Sequence, residues 1–156
     1  MIFTEADGDF RKPLMLDLSK TWAEQTPSPL PLFPDANLSF SARDWSKDGK
    51  KLLVVFFEPN GDERGIAVFD FETAKYEKLT EIGATPFWLS DNHNFIFTSR
   101  NTIYLGDAMT KKITELYKPS AYELQHANVS PNNRMIFFRY LQVDADVWLL
   151  DVSPDE

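Results

Sequence analysis

Residues 44–57, DWSKDGKKLLVVFF, set Ser46 two positions before Asp48 and four and five before Lys50 and Lys51. A serine hydroxyl with an amine in reach is the minimal set for a nucleophile and its general base. The competing reading has the Ser46 and Asp48 side chains bonding the backbone of a turn while the lysines stay in water. Two acidic groups, Glu5-Asp7-Asp9 and Asp144-Asp146, have the alternate spacing of hard-cation loops, and neither carries the further ligands of a complete one. Trp22, Trp45, Trp88 and Trp148 offer either a stacking platform for a flat ligand or wedges in a core.

Other chemistries find less support. There is no cysteine, hence no disulfide, thiolate metal site or Cys nucleophile, and His93 and His126 are the only imidazoles left for zinc. Both read as polar histidines near turns or strand starts. Asn37-Leu38-Ser39 and Asn128-Val129-Ser130 fit the glycosylation sequon, a short pattern that chance also produces. No G-x-S-x-G elbow, H-E-x-x-H pair or phosphate-cradling G-x-x-x-x-G-K is present. Ser46-Lys47-Asp48-Gly49 also fails the S-x-D-x-G-x-x-W Asp-box, because Gly follows Asp directly and no Trp comes after it. No cofactor is expected.

The elements that must position these residues form a repeat. Aligned on serine, WSKDGKKLLVV (45–55) is followed by LSDNHNFIFTS (89–99) and VSPNNRMIFFR (129–139). In this register Ser46, Ser90 and Ser130 correspond; Asp48, Asn92 and Asn132 follow two positions later, and Gly49, His93 and Asn133 three later. These are turn residues, and an apolar, β-prone run comes next in each copy, so every unit predicts strand, tight turn, strand. Because Asn94 and Arg134 replace Lys50 in the later copies, the repeat favours the turn reading over catalysis. Each unit also has a later strand ending in aspartate: IAVFD at Asp70, IYLGD at Asp107, VWLLD at Asp151, and a further copy, PLMLD, at Asp17. A polar fourth strand follows, KYEKLT (75–80) and KKITEL (111–116).

Four short strands at a period of about 40 to 45 residues predict β-propeller blades. The fold expected is all-β, a propeller of about four blades of four-stranded antiparallel sheets. The blades span about 1–40, 43–80, 85–118 and 125–156; the middle two are complete and the outer two partial. Met1 to Thr4 enters at a second strand. The one helical candidate, about Asp17 to Gln25, is ended by prolines 27, 29, 31 and 34, and that stretch predicts an irregular outer strand.

Composition narrows the partners. A net charge of −8 gives a surface that repels phosphate backbones, and no Lys/Arg run exceeds two residues, which excludes nucleic acid as the expected partner. The longest apolar run, Leu52 to Phe57, is far short of the roughly 20 residues a membrane helix needs, so no membrane insertion by this segment is expected.

Trp45-Ser46-Lys47-Asp48-Gly49-Lys50-Lys51-Leu52 resembles the W-S-P-D-G-K-x-[IL] hairpin of TolB-like, WD-type propeller repeats. Val147 to Asp151 is similar to the strand I-[WY]-[VL]-x-[DN] that follows it, and KYEKLT to the x-x-x-x-L-T end of such a blade. The middle copy departs from the pattern, with Leu89 where Trp is usual and no glycine in its turn. The resemblance implies a bacterial, extracytoplasmic setting and two functions. One is a non-catalytic module that binds a protein or peptide as interaction, sensor or scaffold domain. The other is a propeller that gates or accompanies a prolyl-oligopeptidase-like peptidase or Ser/Thr kinase domain absent from this chain. Hydrolysis of a lactone or sugar by channel carboxylates is a third, weaker alternative. An arc of four blades leaves two open ends, to be closed by the rest of a larger propeller or by self-association.

Overall fold

The computed structural model of the chain describes residues 2–7, 10–35, 37–120 and 122–141. Its strands form four antiparallel sheets in which chain neighbours pair. The first holds β1 (Ile2–Asp7), β2 (Phe10–Met15) and the two-residue β3 (Ser28–Pro29). The second holds β4 (Ser39–Trp45), β5 (Lys51–Phe57), β6 (Glu63–Asp70) and β7 (Lys75–Thr80). The third holds β8 (Ala84–Trp88), β9 (Asn94–Ser99), β10 (Thr102–Asp107) and β11 (Ile113–Tyr117). The fourth pairs β12 (Glu123–Val129) with β13 (Ile136–Leu141). This is a partial β-propeller: two four-stranded blades, flanked among the described residues by a three-stranded sheet and a two-stranded one.

Strand periodicity explains how the blades stack. Along β5 alternate side chains point to opposite faces. Leu53, Val55 and Phe57 join Trp88, Phe95 and Phe97 of the next blade in one core cluster. Leu52, Val54 and Phe56 join Leu30, Phe33 and Phe40 in another, on the side of the preceding blade. Both faces of β5 are thus buried, which is why it is a continuous apolar run rather than an alternating one. A smaller cluster of Ile96, Ile103, Leu124 and Ala127 joins the third blade to the fourth.

The Pro-rich stretch runs along the first blade as expected, with Leu30 N–H donating to the Pro13 carbonyl at 3.1 Å. The Tyr76 hydroxyl donates to the Pro31 carbonyl at 2.8 Å, and burial pushes that phenol above its ordinary range. Where a helix was a candidate, three residues, Trp22–Glu24, form a single 3-10 turn. Between β9 and β10 the two-residue turn Arg100-Asn101 has both φ values positive, at 44° and 66°, as a tight hairpin requires. Asn101 then reaches the fourth blade, taking the Leu124 N–H on its Oδ1 and donating from Nδ2 to the Tyr122 carbonyl at 3.2 Å. The first strands β4, β8 and β12 sit together, with β8 packed on both others, and form one inner wall.

Candidate functional site

The corners between first and second strands gather at one end of that wall. In the opening hairpin Ser46 N–H donates to the Lys51 carbonyl at 2.8 Å and Gly49 N–H to the Ser46 carbonyl at 2.9 Å. Gly49 has a φ of 75°, a left-handed position that suits glycine. The Ser46 hydroxyl is spent inside the turn. It donates to Asp48 Oδ1 at 2.6 Å and accepts the Lys51 N–H at 2.8 Å. Lys50 points to Glu72, 2.7 Å away, whose carboxylate holds its ammonium above the ordinary range, the wrong direction for a general base. The bond from Ser46 and the Lys50 N–H keep Asp48 ionised below the usual carboxylate range. The trio is a brace for the corner.

The other corners share this pattern, in a register that corrects the serine alignment. Leu89 N–H donates to the Asn94 carbonyl and Asn92 N–H to the Leu89 carbonyl; Ser130 N–H donates to Met135 and Asn133 N–H to Ser130. Leu89, not Ser90, therefore occupies the position of Ser46 and Ser130. Asp91, not Asn92, matches Asp48 and Asn132. Asn92, not His93, matches Gly49 and Asn133, with φ values of 61°, 75° and 58°. Trp88 accordingly stands where Trp45 does, each paired with the first apolar residue of the next strand, Phe95 and Leu52. Asp91 repeats the brace: burial opposes its charge, but bonds from the Asn94 side chain and the Asn94 and His93 N–H groups prevail and lower its pKa. Asn132 accepts the Ser130 hydroxyl at 2.8 Å.

The asparagines at the left-handed position also link the blades, which glycine cannot do. Asn92 Oδ1 accepts the Asp48 N–H at 3.2 Å. Asn133 Oδ1 accepts the Ser90 N–H at 3.2 Å, while its Nδ2 donates to the Ser90 hydroxyl at 2.6 Å. The strand-ending aspartates do a separate job. Asp70 accepts the Thr73 and Glu72 N–H groups, each at 2.9 Å; Asp107 accepts those of Thr110 and Met109; Asp17 accepts the Ser19 hydroxyl at 2.7 Å and the Ser19 N–H at 3.0 Å. These bonds lower all three pKa values and turn the chain into the outer strand. Asp151 lies outside the described residues, as do Asp9, Asp144, Asp146 and Trp148.

At this end a cleft of about 380 Å³ crosses three blades. Asp44, Trp45 and Lys47 form one side, Ser90 the middle, and Asn128 and Asn133 the other side. Asp44 is half-buried; desolvation raises its pKa although Trp88 N–H donates to its Oδ2 at 2.8 Å. The tryptophans divide. Trp88 is 6% exposed and wedges between blades as expected, whereas Trp45 is 38% exposed, its ring stacked on Phe71 at 4.6 Å. Trp22 is 89% exposed, away from the cleft-lining residues. His93 sits in the second corner, and His126 lies within β12 rather than at a turn. Among the described residues no three His, Asp or Glu side chains converge as a metal group would, and no helix is long and apolar enough to cross a membrane.

No family model and no curated protein matches the chain. Solved structures do. A TolB-like protein from Agrobacterium tumefaciens superposes with a TM-score of 0.73 at 18% identity, covering 92% of this chain and 51% of its own. Oligogalacturonate lyase from Vibrio parahaemolyticus aligns with a TM-score of 0.56 at 15% identity, over 87% of this chain and 35% of its own. The β-propeller domain of the Trilobed protease from Pyrococcus furiosus gives 0.51 at 16%, over 80% and 41%. The neighbours are TolB-like and other propellers, and this chain spans between about a third and half of their lengths. At such identities the likeness establishes the fold.

Proposed function

We propose that the chain is part of a β-propeller module that binds a protein or peptide partner across the hairpin end of its inner strands. The cleft over three consecutive corners carries this reading. Its walls combine an accessible indole, a half-buried carboxylate, a lysine and amide side chains, the mixture that anchors a peptide and fixes its register. Asp44 and the net charge of −8 favour a neutral or basic segment over an acidic one. The Ser46 hydroxyl is committed to the turn, which supports binding without chemistry at this corner.

A second reading, a propeller attached to a catalytic domain, draws support from the likeness to a protease's propeller domain. The open reading frame on either side discriminates: an in-frame hydrolase or kinase domain supports the second reading. A closed ring takes more blades, from a longer polypeptide or a second copy. Light scattering separates these, since a monodisperse monomer of 18.0 kDa counts against closure by self-association.

The binding reading is tested by panning a displayed random-peptide library against the chain. Enriched peptides are expected to carry basic residues, to lose tenfold or more in affinity with Trp45→Ala, and to be indifferent to Trp22→Ala. Absence of enrichment, or binding that survives Trp45→Ala, contradicts it.

A further inference from the structure

In both complete blades the residue after the strand-ending aspartate packs toward the preceding blade. Phe71 N–H donates to the Lys50 carbonyl at 3.0 Å and Ala108 N–H to the His93 carbonyl at 2.8 Å, so the two residues hold the same place in the repeat. Phe71 stacks its ring on Trp45 at 4.6 Å and sets it edge-on to Phe69 at 4.9 Å, against the cluster shared with the first blade. Ala108 belongs to the cluster shared with the second blade and brings only a methyl group. A groove of about 410 Å³ is left open between Ala108 and the second blade. Its wall there consists of two cross-strand rungs, Lys51-Asp70-Lys75 and then Val68-Glu77. The charges on this wall are unequally satisfied. Asp70 Oδ1 accepts the Thr73 hydroxyl at 3.1 Å besides the two N–H groups of its turn, and Glu77 pairs across the blades with Lys111 at 2.9 Å. Neither Lys51 nor Lys75 has a carboxylate within ion-pair distance among the described residues.

We propose that this groove binds a small flat ring carrying an anionic group. Val68 and Ala108, both buried, give it an apolar floor, and a ligand ring supplies there the surface that Phe71 supplies one blade earlier. The volume lies within the range of about 300–1,000 Å³ usual for small-molecule sites. Lys51 and Lys75 stand on one rung, on either side of an aspartate already engaged by its own turn. Residues opposite each other on a ladder point to the same face, so one anion can meet both ammonium groups and give them the partner they lack. An ammonium is a point charge that takes carboxylate and phosphate alike, so the shared chemistry is an anion on a ring. The groove shares no lining residue with the hairpin cleft and does not depend on peptide binding there.

The test is a titration of the chain with phenylacetate followed by ¹H–¹⁵N NMR, with phenylacetamide as the neutral isostere and acetate as the anion without a ring. Phenylacetate is expected to shift the Val68, Lys75 and Ala108 amides saturably, and both controls to leave them in place at the same concentration. Lys51→Gln and Lys75→Gln should each weaken phenylacetate by about threefold or more with their spectra otherwise unchanged, while Trp45→Ala has no effect. Ala108→Phe gives the third blade the ring that Phe71 gives the second; it is expected to abolish the shifts and to raise the melting temperature by about 2–4 °C. If Ala108→Phe melts below the unmodified chain, Ala108→Leu replaces it, and the same loss of binding is expected. A second arm uses phenyl phosphate. Tighter binding than phenylacetate identifies a phosphate ester as the source, and weaker binding identifies a carboxylate. Equal shifts with phenylacetamide or acetate, lysine variants of unmodified affinity, or an Ala108 variant that still binds overturns the proposal.

Discussion

The corners of the blades and the bulges just upstream of them are built on the same three strands, yet they obey opposite rules. The bulges are the register slips of β4 between Ala42 and Asp44, of β8 between Ala84 and Phe87 and of β12 between Gln125 and Ala127. At the corners, residue type matches local geometry: Gly49, Asn92 and Asn133 hold the left-handed position, and Asp48, Asp91 and Asn132 cap the turn. The capping side chains there are bonded within the turn, and Asn92 and Asn133 reach the neighbouring blade. At the bulges Thr85 and His126 adopt a conformation their side chains disfavour, at a cost on the order of 1–3 kcal/mol each. The contrast separates a region organised for stability from one where the fold tolerates strain.

The largest effect is expected where both regions rest. Phe97 is fully buried between the second and third blades, so Phe97→Ala should lower the unfolding free energy by about 3–5 kcal/mol in urea titrations. A cost below about 1 kcal/mol would mean that the blades do not share this core. Next come the corners. Ser46→Ala strands the Lys51 N–H in a residue environment only 3% exposed and should cost about 1–3 kcal/mol, whereas Ser90→Ala, one place out of register, should cost about 0.5–1.5. Equal losses would argue for the serine alignment over the hydrogen-bond register.

Acid sharpens the same comparison. Asp17, Asp48, Asp70, Asp91 and Asp107 all have lowered folded-state pKa values, so their contribution is complete above the ordinary carboxylate value near 4 and drains away as pH falls from there through the lower folded values. Thermal melts should hold steady down to about pH 4 and fall below it, less steeply in Asp70→Asn and Asp107→Asn. The smallest effect belongs to the bulges. His126→Gly removes a strained side chain and should leave stability unchanged or raise it by up to about 1 kcal/mol; a loss of more than that would make His126 a structural residue.

Much of the corner geometry was legible in sequence, because positive φ and turn capping select few residue types, and strand faces impose a period of two. The continuous run Leu52 to Phe57 announced a strand buried on both sides. In the middle copy a serine alignment falls one residue out of register, because the turn keeps its backbone position and Leu89 fills it; Trp88 in the place of Trp45 is the sequence signal for the true register. The bulges left none. An extra residue in a ladder keeps the local apolar pattern, and Arg43, Thr85 and His126 share no chemistry by which alignment could group them. Only pairing partners reveal that they lie where the ladders slip.

The most direct measurement takes two variants, Ser46→Ala and His126→Gly, and determines the urea stability of each. Corners that stabilise and bulges that hold strain predict opposite outcomes: Ser46→Ala loses about 1–3 kcal/mol of stability, and His126→Gly keeps its stability or gains up to about 1 kcal/mol. His126→Gly that loses as much stability as Ser46→Ala would contradict the account.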